Sequence, residues 1–242
     1  MLNHRHTVAV GVIASALTSV PSLADVLQMD VQQDVMTSGF FQGPNTVRGY
    51  ASDGRATHRV STPGAFGVAG AETVYLTFDP ADFAGITEPV DSAYLTVTSI
   101  SGGFGADASA ANPFTVSAHA LSADPLASIV DDTNPAGTTD WVTFYNDNIL
   151  AADAEALTVV DGFGQVQFDI TSVVNGWVAG SNTVFAVALT GNNDTSGGDF
   201  LHGFVNNTEA PGSSFLTVTT VPEPGSLALL AAGGVLLGRR RR

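Results

Sequence analysis

The chain has 242 residues, no cysteine and a formal charge of −15 at pH 7, with 23 acidic residues against eight basic ones. All eight basic residues are arginines, and residues 25–221 hold 22 acids against only Arg48, Arg55 and Arg59, a net charge of about −19. Such a surface repels nucleic-acid phosphates and anionic headgroups, the missing cysteine excludes a disulfide scaffold, and an apolar fraction of 44% argues against a disordered acidic chain.

Residues 1–24 read as a secretory signal peptide. Arg5 with His4 and His6 makes a basic start, residues 8–20 are apolar but too short for a comfortable membrane span, and Ser22-Leu23-Ala24 is small-x-small. Cleavage between Ala24 and Asp25 leaves Asp25 as the new N-terminus and makes the Sec export machinery a partner. A first strand is expected at residues 30–36. Residues 37–70 are rich in Gly, Ser, Thr and Asn and read mostly as loop, with a short strand at 57–61. Residues 73–79 (TVYLTFD) alternate Val74, Leu76 and Phe78 against Tyr75 and Thr77, the period of a half-buried strand. The same period predicts strands at 92–100 and 114–120, and β-branched and aromatic composition predicts another at 141–145 (WVTFY). Strands at 157–160 and 165–170 bracket Asp161-Gly162, a turn signal.

Residues 171–180 (TSVVNGWVAG) break the alternation. Val173, Val174, Trp177 and Val178 share one helical face, Thr171 or Ser172 can cap its start, and Gly180 can end it. Strands follow at 182–190, 200–205 and 214–220. Short strands between Gly-, Pro- and Asn-rich loops predict an all-β fold, an antiparallel β-sandwich of residues 25–220 with one short helix.

Residues 221–242 form a tail with three parts in fixed order. Pro222, Glu223 and Pro224 come first; the two prolines fix φ and remove two backbone donors, so this stretch is extended. An apolar, helix-compatible run, residues 226–238, is next. Its dozen or so residues span roughly 18–20 Å as a helix, short for a bilayer core of about 30 Å. Arg239, Arg240, Arg241 and Arg242 then end the chain and favour the cytoplasmic side. This tail resembles the PEP-CTERM sorting signal. The resemblance implies an exported protein of a Gram-negative bacterium that makes exopolysaccharide, transiently anchored in the inner membrane and processed near the motif by an exosortase, a membrane transpeptidase-like enzyme. The expected destination is the cell surface or extracellular matrix.

A second resemblance covers the body more loosely. Residues 75–79 (YLTFD), residues 90–95 (VDSAYL), residues 168–177 (FDITSVVNGW) and the apolar strand at 185–189 resemble the pattern of DNRLRE-type jelly-roll domains. That family implies a jelly-roll-like sandwich related to carbohydrate-binding modules.

Chemistry-bearing residues are sparse. Asp79 and Asp169 each end a strand; they suit a carboxylate pair for glycoside hydrolysis, but capping of the next turn or helix is the preferred reading. His58, His119 and His202 lie in separate segments without metal-ligand spacing, so no metal site is assigned. Asn192, Asn193, Asp194 and Asp199 are oxygen-rich and suit Ca²⁺, although a solvated turn is the preferred reading and no cofactor is otherwise expected. Trp141, Trp177 and the tyrosines suit a sugar-stacking platform, with core packing preferred for Trp177. There is no G-x-S-x-G, P-loop or cysteine nucleophile, so no catalytic residue is assigned. The expected function is a non-catalytic structural or adhesive module that takes extracellular polysaccharide as its partner. Two alternatives stay open: a secreted glycan-active hydrolase or lyase using strand-end carboxylates, and a Ca²⁺-stabilised binding module.

Overall fold

Period-two alternation becomes strands that pair antiparallel in both sheets of the body. The computed structural model describes residues 24–37, 47–48, 57–61, 72–101, 107–129, 137–151, 153–191, 201–207 and 210–221. The expected signal helix and the apolar helix of the tail lie outside these residues. In chain order the strands are β1 (Val26–Asp30), β2 (Gln33–Thr37), β3 (Val47–Arg48), β4 (Thr57–Ser61), β5 (Thr73–Thr77), β6 (Val90–Ser101), β7 (Phe114–Ala120), β8 (Ala156–Val160), β9 (Gly164–Asp169), β10 (Ala186–Gly191), β11 (Leu201–Val205) and β12 (Phe215–Thr220). The helices are α1 (Pro80–Phe83), α2 (Pro125–Ser128), α3 (Trp141–Tyr145) and α4 (Thr171–Val178).

The long strand β6 is the spine of the first sheet. Ser99 pairs with Gly164 of β9 and with Phe204 of β11, and Thr96 pairs with Gln167 of β9 and Phe215 of β12. Since each residue can face only one partner per edge, β11 and β12 follow one another along the edge of β6 opposite β9. Residues 206–207 and 210–214 form an excursion between them. β1 lies outside β12 and β4 outside β11, while the second sheet runs β3-β2-β5-β10-β7-β8. Leu95, Val97, Phe168, Leu216 and Val218 of the first sheet meet Met36, Leu76, Val116, Val187 and Leu189 of the second in one buried apolar cluster. Burying each such side chain stabilises the fold by roughly 1.5–3 kcal/mol. The two sheets are therefore the layers of a sandwich.

The second sheet is buried on its other face as well. Val35, Tyr75, Ala186 and Ala188 pack outward against Leu121, Ile129, Trp141, Phe144, Tyr145 and Ile149. This cap corrects the expectation of a strand at 141–145, where the chain is helical. The Asp140 carboxylate accepts from the Thr143 backbone N–H at 3.0 Å and from its hydroxyl at 2.7 Å, which starts α3. Trp141, Phe144 and Tyr145 then sit at i, i+3 and i+4, and a wider π-helical turn over Asn146–Leu150 adds Ile149 to the same apolar set. Amphipathic spacing over a ready sheet face outweighs the β propensity of the five residues.

Three further expectations change. The single first strand is two: Val31 and Gln32 carry the chain from β1 in the first sheet to β2 in the second. The Asp161-Gly162 turn joins β8 and β9, which belong to different sheets and are tied by the Thr158 hydroxyl donating to the Gln167 carbonyl at 3.0 Å. Neither Thr171 nor Ser172 is the N-cap of α4. That position is Ile170, and the Thr171 hydroxyl instead accepts from the Ala93 N–H at 2.9 Å, fastening the helix to β6. Gly180 ends the helix as expected, with φ +69.

The β11–β6 contact is tight at Gly203, where a Cβ would run into the carbonyls of Ser101 and Ile100, backbone atoms that cannot swing away. Gly203→Ala is expected to destabilise the protein by about 1–3 kcal/mol. Urea unfolding checks this, and an unchanged midpoint would contradict the close approach.

Candidate functional site

The two ends of the body meet at one end of the first sheet. β1 pairs with β12 from Val26 opposite Thr219 onward. The Thr220 N–H donates to the Asp25 carbonyl at 3.0 Å, the Asp25 N–H donates to the Thr220 hydroxyl at 3.3 Å, and the Val221 N–H donates to the Pro89 carbonyl at 2.8 Å. Ala24 and Asp25, the residues of the expected signal cleavage, are exposed here. Pro222, Glu223 and Pro224 follow directly, and they lie outside the described residues together with Arg239, Arg240, Arg241 and Arg242.

A cleft of about 490 Å³ opens where the cap meets the end of the second sheet. Such a volume suits a small ligand or a short stretch of polymer. Gln32 and Gln33 from the β1–β2 crossing line it, with Thr77, Phe185, Asp124 and Leu126. Its frame is rigid. The Phe78 N–H donates to the Phe185 carbonyl at 2.9 Å, and the Phe185 ring stacks on Trp177 with centroids 5.5 Å apart. One oxygen of Asp124 accepts from the Leu126 N–H at 2.9 Å and starts α2. Among the described residues, Asp124 is the only charged one that lines the cleft.

The sequence candidates fall elsewhere. Asp79 accepts from the Ala81 N–H at 2.9 Å and starts α1. Asp169 accepts from the N–H of Thr171 at 3.1 Å and from its hydroxyl at 2.5 Å. Asp169 is the last residue of β9 in the first sheet, Asp79 lies two residues past β5 of the second, and neither lines the cleft. Trp141 and Trp177 are both buried in apolar clusters, as are Tyr75 and Tyr145, so these four make no stacking platform; of the other tyrosines, Tyr94 is exposed on β6 and Tyr50 lies outside the described residues. His58 and His202 lie on the paired strands β4 and β11. Asn192, Asn193, Asp194 and Asp199 lie outside the described residues.

His119 is buried on the capped face of β7, with Nε2 3.0 Å from the Ser117 hydroxyl and Nδ1 without a partner. Burial holds its pKa below the ordinary value, and the charge of Glu155 offsets this only in part. The folded state therefore keeps the ring neutral, while the unfolded chain takes up a proton near pH 6.5. Stability is full above that pH and declines as the pH falls below it. Thermal unfolding of wild type and His119→Gln between pH 8 and pH 5 checks this: the wild-type melting temperature is expected to fall more steeply on acidification than that of the variant.

A family profile described as the PEP-CTERM protein-sorting motif matches residues 220–242. The chain carries a PEP-CTERM sorting signal. The signal marks an exported protein whose membrane-anchored precursor is processed by an exosortase. The matched stretch begins at Thr220, the last residue of β12. A comparison with curated proteins found no match. Among the described residues no helix is long and apolar enough to cross a membrane.

Proposed function

We propose that this chain is a non-catalytic structural or adhesive component of the cell surface or exopolysaccharide matrix of a Gram-negative bacterium, binding polysaccharide in the cleft beside the cap. The Sec machinery exports it and the inner membrane holds it transiently before exosortase processing. The body is read as a jelly-roll-like module. The observation that carries the reading is the junction of a PEP-CTERM signal with a β-sandwich that presents this cleft.

The lining supports a glycan ligand. The exposed amides of Gln32 and Gln33 offer both donors and acceptors, and Leu126 and Phe185 supply apolar surface for sugar C–H faces. Among the described lining residues one carboxylate and no base favour a neutral polysaccharide over a uronate-rich one, which the acidic body repels. Asp79 and Asp169 serve local turn and helix starts, which supports a structural use for both.

The test is retention of the processed protein, purified from the producing cells, on the producer's own polysaccharide. Gln32→Ala/Gln33→Ala is expected to weaken retention about tenfold or more, given roughly 0.5–1.5 kcal/mol per lost hydrogen bond, with the melting temperature unchanged. No retention of wild type, together with an intact matrix after deletion, would remove the reading. Release of shortened glycan during the assay would replace it with the glycan-active one.

A further inference from the structure

Asp124 is a fixed polar group in the wall of the cleft. Its backbone carbonyl accepts from the Ser128 N–H at 3.0 Å. One carboxylate oxygen, Oδ1, accepts from the Leu126 N–H at 2.9 Å and, more weakly, from the Ala127 N–H at 3.4 Å. Pro125 follows, buried and with its own φ set by the ring. Backbone and side chain are thus both tied to α2, and the carboxylate is oriented before any ligand arrives. Its other oxygen, Oδ2, makes no hydrogen bond among the described residues, and the residue is exposed.

Other polar side chains in the wall differ. Thr77 is buried, and its hydroxyl donates to the Gln33 carbonyl at 3.3 Å. Gln32 and Gln33 are exposed, and each ends in a rotatable amide that offers a donor as readily as an acceptor. An ionised carboxylate is acceptor-only, and hydrogen bonds to it are about twice as strong as neutral ones. With Oδ1 committed to the helix start, the free accepting capacity of Asp124 is concentrated at Oδ2, and holding it there costs no further entropy on binding. A sugar hydroxyl can donate to that oxygen. A ligand carboxylate or sulfate cannot, and beside it meets a like charge. Leu126, two residues on, lines the same cleft, so a ring whose hydroxyl reaches Oδ2 also finds apolar surface for its C–H face.

We propose, resting on the glycan-binding reading of the cleft, that Asp124 is its specificity-determining residue: Oδ2 accepts a hydroxyl of a neutral sugar and excludes a sugar that carries a carboxylate or sulfate in that position. One oxygen of the side chain starts α2 and the other selects the ligand.

The test compares retention of the processed protein, purified from the producing cells, on two forms of the producer's own polysaccharide. In one form the acidic groups have been removed; in the other the primary alcohols have been oxidised to carboxylates. The salt is about 0.15 M, where exposed charges more than about 8 Å apart are largely screened. Wild type is expected to retain the neutral form about tenfold better than the oxidised one. Asp124→Asn keeps an equally good helix start and removes the charge. It is expected to hold the neutral form about tenfold more weakly and to lose the preference, with a melting temperature within a few degrees of wild type. Asp124→Ser, also a good cap, is expected to behave in the same way. Asp91→Asn removes the same charge from an exposed position on β6 that does not line the cleft, and is expected to keep the wild-type preference. An unchanged preference in Asp124→Asn overturns the proposal. So does a preference of wild type for the oxidised form, and so does an equal shift in Asp91→Asn, which makes the net charge of the body the cause. Gln32→Ala/Gln33→Ala separates the two readings. If it weakens retention of the neutral form while Asp124→Asn behaves as wild type, the cleft binds glycan and Asp124 does not select it. If wild type retains neither form, the glycan-binding reading fails and the role of Asp124 fails with it.

Discussion

Replacing Trp177 with alanine is expected to cost about 3–5 kcal/mol and to lower the melting temperature by roughly 10 °C, given about 2–4 °C per kcal/mol for a body of this size. Trp177 is the centre of an aromatic group that closes one end of the sandwich. Its ring lies 5.6 Å from that of Phe78, 5.3 Å from that of Phe83 and 5.5 Å from that of Phe185. α1 brings Phe83, the end of β5 brings Phe78, and the approach to β10 brings Phe185, so one side chain ties three connections to α4. The indole Nε1 makes no hydrogen bond, so the loss comes from ring area and the cavity left behind. Trp177→Phe should therefore recover most of the stability, with a cost of about 1–2 kcal/mol for the smaller ring. Equal losses for alanine and phenylalanine would contradict this and point to a polar role for the indole. The cleft depends on the same group, because Phe185 lines it while stacked on Trp177. Trp177→Ala should also weaken glycan retention at temperatures where the body remains folded.

The strands around the two cores were legible because alternation is local: Val74, Leu76 and Phe78 announce a buried face without reference to any partner. α4 was legible for the same reason, through the spacing of Val173, Val174 and Trp177. What local pattern cannot carry is which sheet a strand joins. β8 and β9 flank a turn signal fit for a hairpin, yet each pairs elsewhere, because β7 and β6 offer edges that the local sequence does not encode. The helix at 141–145 was misread for a different reason. Its signal was present, with Asp140 as cap and apolar residues at 141, 144, 145 and 149, but five β-favouring residues in a row masked it. The sorting signal was the clearest feature, since its three parts are contiguous and need no fold to be recognised. The cleft was invisible, because it places Gln33 beside Phe185 and Asp124. The hydrogen-bonded meeting of Asp25 with Thr220 was equally hidden, depending on β1 and β12 becoming neighbours across 195 residues.

Asn207 is expected to be the most sensitive polar position. It lies in the excursion between β11 and β12, where the chain leaves the edge of β6 and returns to it. Its side-chain oxygen accepts from the N–H groups of Gly212 at 3.0 Å and Ser214 at 3.2 Å, and its amide donates to the Val31 carbonyl at 3.2 Å. Its own N–H donates to the buried carboxylate of Asp34 on β2. One residue thus closes the excursion, holds the β1–β2 crossing and joins the two layers. Asn207→Ala leaves the buried Ser214 N–H and the Val31 carbonyl without partners, at about 1–3 kcal/mol each, so a loss of roughly 2–5 kcal/mol is expected in urea unfolding. Asn207→Asp keeps the acceptor and the shape but loses the donor, and sets a second carboxylate near that of Asp34. At pH 7 it should be at least as damaging as alanine. On acidification towards pH 5 the variant should regain stability relative to wild type, because the unfavourable charge is relieved by protonation in the folded state first. If Asn207→Asp matches wild type at pH 7, the excursion is held by its backbone alone, and the link between the layers must rest on apolar contact.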